Sequence, residues 1–260
     1  MGVTGEGPNV PRINVLGSRI SLCDAAGALE EIERSIDRGD GGYVCFTNAH
    51  TVIEGRRDEQ FRAITNGSLL SVADGSPVYR VARRHASGAA GHVPGPDFFA
   101  YALSRRPDRR HFLYGSTPEN LELLRAAIER KYPGVNICGV FSPPFRPLTD
   151  ADRQEHIRLM REAGAEYVWV GLGAPKQERF MAQVAEEMKP AVLLGVGAAF
   201  DFHSGRVQRA PRLMRRLGLE WLHRLAQEPR RLWRRYLVTN SLFLWYLASD
   251  RGPHGSADTR

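Results

Sequence analysis

Tyr167-Val-Trp-Val-Gly-Leu-Gly-Ala-Pro-Lys-Gln-Glu178 decides the architecture. Four apolar residues, the length of a strand buried on both faces, run into two glycines, a proline and the helical pattern Pro175–Met188. Glycine lets backbone approach a ligand closely, and proline suits the first helical position. A helix N-terminus with free N–H groups is a ready anion site, of a size for a diphosphate. An ordinary strand–helix turn accounts for the local pattern equally well. The segment is neither a GxGxxG fingerprint nor a P-loop, so nicotinamide and ATP chemistry lose their main support.

Outward from this unit the same rhythm repeats. Apolar runs fall at Tyr43–Phe46, Leu69–Val72, His111–Tyr114, Val135–Val140 and Val192–Val196. Helical patterns fall at Thr51–Ile64, Pro77–His85, Pro96–Ser104, Pro118–Lys131 and Asp150–Ala163. Ile13–Ser21 alternates around Gly17-Ser18 and predicts a short hairpin, and Asp24 predicts the N-cap of a helix through Asp37. Strand and helix in alternation with short connections predict an α/β fold with a mostly parallel, doubly wound sheet. Ligands of such sheets sit outside the carboxyl ends of the strands. Here those ends carry Thr47-Asn48, Asp74-Gly75, Gly115-Ser116, Gly171-Leu-Gly173 and Gly197.

Past Gly205 the rhythm stops and an Arg-rich helical extension begins. The organisation read from the sequence is a flexible N-terminus (1–12), an α/β core (13–205), a basic helical appendage (206–249) and a disordered tail (250–260). The chain of 260 residues carries a formal charge of +7. Ten arginines between Arg206 and Arg235 stand against only Glu220 and Glu228, so this window holds all the excess. A near-neutral body with a basic extension points to an anionic partner. Three cysteines without a CxxC pair argue against a disulfide scaffold or zinc ribbon and fit a reducing cytoplasm. The polar first residues do not read as a signal peptide, and no apolar run reaches the roughly 18 residues of a spanning helix.

Each candidate group has two readings. Asp74 is a turn or capping residue, or a general base at the ligand end of the sheet. Thr47 and Asn48 serve helix capping or substrate hydrogen bonding. Asp150-Ala-Asp152 has the form of a metal-binding DxD, yet it follows Thr149 at a helix start, where acidic residues oppose the positive dipole end; capping is the preferred reading. No HExxH, zinc-spaced histidine cluster or GxSxG is present, which weakens metalloenzyme and serine-hydrolase readings. In the extension, Leu213, Leu217, Trp221 and Leu225 recur every four residues as one helical stripe. Tryptophans beside arginines suit an interfacial helix, a basic face packed on the body, or a nucleic-acid contact.

In order along the chain stand Thr47-Asn-Ala-His-Thr-Val52, Ala73-Asp-Gly75, Gly95-Pro-Asp97, Gly171-Leu-Gly-Ala-Pro-Lys-Gln-Glu178, Gly195-Val-Gly197 with Phe200-Asp201, Arg209-Ala-Pro211 and Leu219-Glu-Trp-Leu-His-Arg-Leu225. This ordered set, over roughly Ile13 to Trp245, resembles the WecG/TagA/CpsF glycosyltransferases, glycosyltransferase family 26. The resemblance implies a Rossmann-like core with a C-terminal appendage that approaches the membrane and helps complete the active site. It implies an inverting, metal-independent enzyme without a cofactor. Its relatives move a sugar, of the N-acetylmannosamine type or glucose, from a UDP-sugar to an undecaprenyl-diphosphate-linked saccharide. They do so at the inner face of the cytoplasmic membrane, in the synthesis of cell-surface polysaccharides.

Carried onto this sequence, the resemblance makes Asp74 the base, with Thr47 and Asn48 at the substrate-binding strand end. Gly171, Gly173, Lys176 and Gln177 fall in the donor loop, and Asp201 becomes a nucleoside contact. Arg209, Arg216 and Arg224 would offset the departing diphosphate, since guanidinium geometry matches phosphate. The implied partners are the UDP-sugar, a polyprenyl-diphosphate-linked acceptor and an anionic membrane surface; no nucleic acid is expected, and homo-oligomerisation stays open. The sequence departs from the commonest family pattern at Asp74-Gly-Ser-Pro77, at His92 in place of arginine, and at Ser142-Pro-Pro-Phe145, which leaves the donor sugar open. The rival reading is a non-enzymatic nucleotide binder whose basic tail grips nucleic acid or a partner. It leaves unexplained an aspartate such as Asp74 beside a UDP site.

Overall fold

Parallel pairing follows from the alternation of short apolar runs and helices, and the computed structural model describes it for residues 10–85 and 90–249. The side chains of His85, Arg212, Arg216, Arg231 and 234–236 lie outside that description, as do the N-terminal residues 1–9 and the tail 250–260 of the sequence reading. Strands β1 (Arg12–Val15) and β2 (Ser18–Ser21) form the antiparallel hairpin. Arg12, placed by the sequence in the flexible N-terminus, opens β1 and is held by the carbonyls of Asn66 (2.8 Å) and Leu69 (2.7 Å). Helix α1 (Ala25–Arg38) starts at its predicted cap, where Asp24 accepts from the Gly27 amide.

The main sheet consists of β3 (Gly42–Thr47), β4 (Leu70–Ala73), β5 (Arg110–Gly115), β6 (Asn136–Phe141), β7 (Tyr167–Gly171) and β8 (Val192–Gly195). Its order is β4-β3-β8-β7-β5-β6, and every pairing is parallel. Side chains alternate between the two faces with the period of two that a strand imposes. Val44, Phe46, Leu113, Trp169 and Leu194 share a core with α1, α5 (Gly95–Arg105) and α6 (Pro118–Lys131). Cys45, Phe112, Tyr114, Val168, Val170 and Leu193 pack instead with α7 (Asp150–Glu162) and α8 (Lys176–Met188). Each fully buried Leu or Phe in these layers stabilises the fold by about 1.5–3 kcal/mol relative to exposure. The result is a Rossmann-like α/β sheet covered on both faces.

Two local readings are corrected, and one element is added. The single helix expected over Thr51–Ile64 is two, α2 (Ala49–Arg57) and α3 (Glu59–Asn66), because Asp58 leaves helical geometry and caps α3 through the Phe61 amide (2.8 Å). A short helix, α9 (Ala199–His203), follows β8 and precedes the extension. The extension is not one striped helix but α10 (Arg212–Leu217), α11 (Glu220–Gln227) and α12 (Pro229–Ser249). Gly218 takes a left-handed conformation (φ 76°) that ends α10, so Leu213 and Leu217 lie on a different helix from Trp221 and Leu225.

The extension folds back on the body. Helix α12 packs on α2, and Phe243 is buried in a third core formed by the hairpin, α2 and α4 (Ser76–His85). The turn at Gly218 abuts Ser76, and Arg80 on α4 donates to the Leu217 carbonyl (3.2 Å). These contacts bring the Arg-rich segment to the carboxyl edge of the sheet.

Candidate active site

A cleft of about 1620 Å³ opens along that edge. Its walls include Asn48 after β3, Asp74 after β4, Ser116 after β5, Gly171 at the end of β7 and Gly197 after β8. Arg215, Trp221 and Arg224 close it from the appendage. A parallel sheet puts all these strand ends on one side, and the fold-back of the extension brings Arg224 to the same cleft as Asn48.

Asp74 is held at one end. Its Oδ1 accepts from the Gly95 amide (2.7 Å) and its Oδ2 from Asn48 Nδ2 (3.2 Å). Asn48 has a fixed orientation, because its Oδ1 caps α2 by accepting from the His50 (3.1 Å) and Thr51 (3.4 Å) amides. Burial pushes the Asp74 carboxyl above the ordinary aspartate range, against the lowering pull of the Gly95 amide, the Asn48 amide and His92. Each oxygen keeps a second lone pair, so this carboxylate can still accept a proton. The His92 Nε2 donates to the Asp74 carbonyl (2.8 Å), and its ring stacks on Tyr79. Capping and cleft lining thus coexist in Asn48.

The loop from β7 to α8 forms the middle. A Cβ on Gly171 would lie 2.6 Å from Phe200 Cδ2, so only glycine fits there. Gly173 and Lys176 line the cleft, with Lys176 exposed at the first position of α8. Gln177 is buried and fastens the loop: its Nε2 donates to the Gly195 carbonyl (2.6 Å), and its Oε1 accepts from the Gly173 amide (3.1 Å). Its amide therefore ties the loop, at Gly173, to the end of β8 at Gly195. Asp201, on α9, accepts from the buried Asn120 Nδ2 (3.1 Å), which also donates to Ser116 Oγ (2.8 Å). Ser116 itself is left-handed (φ 61°) at the cleft wall, a conformation that costs energy in a residue with a Cβ.

The arginines divide into two kinds. Arg209 grips Asp97 with both terminal nitrogens (2.5 and 2.9 Å) and Glu220 with Nε (3.1 Å). Although burial raises it, the Arg209 guanidinium holds the Asp97 carboxyl below the ordinary range. Arg224 lies over the Phe202 ring (5.3 Å) and 3.7 Å from Glu228, and its buried Nε has no hydrogen-bond partner among the described residues. The Arg215 Nε is likewise buried without one, while its Nη1 stands 3.5 Å from Asp97. Arg215 and Arg224 both line the cleft. Arg216, placed with them by the sequence, has its side chain outside the described residues.

Thr47 is not brought into the cleft. Its side chain is buried between strands, with Oγ1 2.7 Å from Ser71 Oγ, and only its carbonyl acts locally by accepting from the Asp74 amide (3.0 Å). A strand residue one position before Asn48 must point the other way. Thr149 and Asp152 form a reciprocal capping box, and Asp152 also takes a fork from Arg146 (2.5 and 2.9 Å). Asp150 pairs with Arg153. The Asp150-Ala-Asp152 segment is therefore engaged as a helix start.

Sequence reasoning left Asp97, Arg215, Glu220 and Phe202 out of the site. Asp97 was visible within Gly95-Pro-Asp97 as a motif without a role, and Arg215 stood in the basic window. Only the fold-back of the extension pairs them.

The family model described as "Glycosyl transferase WecG/TagA/CpsF family" matches residues 13–256. The chain belongs to that family of glycosyltransferases.

Proposed function

We propose that this glycosyltransferase moves a sugar from a UDP-sugar to a saccharide carried on a polyprenyl diphosphate, with inversion and without a metal. The observation that carries the reading is the Asp74 carboxylate, raised by burial and held by two donors, in one cleft with a glycine loop and two incompletely paired guanidiniums. An acceptor hydroxyl gives its proton to Asp74 as its oxygen attacks the anomeric carbon. The bond from that carbon to the UDP oxygen breaks on the opposite face, and the diphosphate leaves with the pair of electrons. Arg215, Arg224 and the N-terminus of α8 offset its charge in place of a divalent ion, a role suited to guanidinium and helix-end donors. Asn48 and Gly95 fix the base, Gln177 fixes the loop, and Asp201 faces the nucleoside.

The same reading puts the enzyme at the inner surface of the cytoplasmic membrane. Among the described residues no helix is long and apolar enough to cross a bilayer. Trp233, Leu237, Leu244 and Trp245 of α12 expose about half of their surface or more. Apolar side chains among arginines suit a helix lying in an anionic interface, where each basic residue contributes about 1 kcal/mol. The test is UDP release with a short-chain lipid-diphosphate acceptor and, in parallel, UDP-linked N-acetylmannosamine, its uronic acid and glucose. Turnover with one donor in the presence of chelator is expected. Binding of UDP without turnover of any donor would favour the non-enzymatic reading.

A further inference from the structure

We infer that Asp97 is a positioning residue that latches the appendage over the cleft through Arg209, which makes Arg209 a strut of the fold rather than a ligand of the diphosphate. The inference rests on the functional reading above only for its kinetic half.

Asp97 lies in the first turn of α5, two residues after Gly95, whose amide holds Asp74. One helical turn therefore carries both the clamp on the candidate base and the attachment of the appendage. Arg209 answers with a two-toothed fork on Asp97, and its third nitrogen reaches Glu220 at the start of α11. All three of its nitrogens are thus engaged within the protein, and its Cζ stands 5.9 Å from the centre of the Phe202 ring on α9. Gln227 closes the same corner by donating to the Gln208 carbonyl (3.0 Å). The latch ties α5, α9 and α11 into one unit.

Arg224, 3.7 Å from Glu228, and Arg215, whose Nη1 also stands 3.5 Å from Asp97, are less fully engaged than Arg209. Each lines the cleft and has a buried Nε without a hydrogen-bond partner among the described residues. A guanidinium with donors left over can receive an incoming anion, whereas one already forked on a carboxylate would first have to break that pair. Division of labour follows: Arg209 sets where the appendage sits, and Arg215 and Arg224, less fully paired and lining the cleft, are left to meet the substrate.

The test compares Asp97→Asn, Arg209→Gln, the double variant and Asp97→Glu in the full chain. Amide hydrogen exchange over residues 210–227 reads docking, and kcat and KM with a soluble acceptor read its consequence. Loss of a charge-assisted pair of this kind shifts an equilibrium roughly ten- to hundredfold. Both single variants should therefore speed exchange in this segment by about tenfold or more, and both should lower kcat/KM. The double variant should lose less than the sum of the two single losses, because the fork is shared between them. Asp97→Glu, which keeps the charge, should restore most of the protection. Wild-type exchange in Asp97→Asn overturns the inference. So does a loss of UDP affinity in Arg209→Gln that Asp97→Asn does not share, since Arg209 would then be a phosphate ligand. Exchange reports docking whether or not any UDP-sugar turns over, so failure of the functional reading is seen separately.

Discussion

Replacing Asp74 by asparagine removes one proton-accepting oxygen and changes little else in volume. The new amide can keep its carbonyl on the Gly95 amide, which places its NH₂ where Oδ2 stood, 3.2 Å from Asn48 Nδ2. Asn48 cannot turn over to answer it, because its Oδ1 caps α2. Two donors then face each other, at a cost of about 1–3 kcal/mol for an unsatisfied buried group. Against this, the variant no longer buries a charge. The net loss is therefore small beside the roughly 5–15 kcal/mol that keeps a domain folded. The melting temperature should fall by a few degrees at most. Turnover should fall about 10²–10⁴-fold, the usual range for loss of a general base. Folding cannot supply a loss of that size.

The pH dependence gives a second handle on the same variant. A carboxyl whose folded pKa is raised holds its proton to higher pH when folded than when unfolded. Asp74 thus adds stability below its unfolded pKa, and that stability is lost as pH rises through the folded value. Turnover moves oppositely: it rises as the base deprotonates across the same window. Rate and melting profiles of wild type and Asp74→Asn should show an acid limb in wild-type kcat/KM and none in the residual activity of the variant. Near-normal turnover, or an unchanged acid limb, would remove Asp74 from the mechanism.

Gly171→Ala puts a methyl 2.6 Å from Phe200 Cδ2, and overpacking of this kind costs about 1–3 kcal/mol; UDP affinity should fall with stability, as calorimetry can measure. Asp152→Ala removes a capping box and the Arg146 fork; a stability loss of about 1 kcal/mol with transfer retained in chelator is expected, and recovery of a chelated enzyme by Mn²⁺ or Mg²⁺ would contradict it. Arg224→Ala should slow turnover even with a soluble acceptor, because the cleft loses a guanidinium from its lining. Trp233→Ser with Trp245→Ser should weaken co-sedimentation with anionic vesicles while leaving transfer to a soluble acceptor in place.

Buried strands were legible because a sheet covered on both faces requires continuous apolar runs, as Tyr167–Val170 and Val192–Val196 show. The strand-end positions Asn48, Asp74 and Gly171 followed from that fold class. Thr47 did not, since proximity in sequence to Asn48 says nothing about which face its side chain takes. The break at Asp58 was written in its capping chemistry but masked by apolar residues on both sides. Helix α9 is too short for any periodicity to register. Gly218 and Pro229 marked the ends of α10 and the start of α12, yet a four-residue spacing of leucines ran across the first of them. The pairing of Asp97 with Arg209 spans 112 residues and depends on how the extension returns, which no local pattern encodes.

The sheet order also has a consequence in time. Strand β8 is the last to be made, yet it lies between β3 and β7. Until Val192–Gly195 leaves the ribosome, β3-β4 and β7-β5-β6 are two separate ribbons, each with a bare edge ready to pair with another chain. A growing chain therefore stays exposed to mispairing from the time the first ribbon forms until β8 emerges, and until then it has no cleft in which to split a sugar nucleotide. Insertion of one central strand joins the ribbons, and α12 closes the work only at the end. Chains shortened before residue 192 should accumulate as aggregates rather than as smaller folded forms.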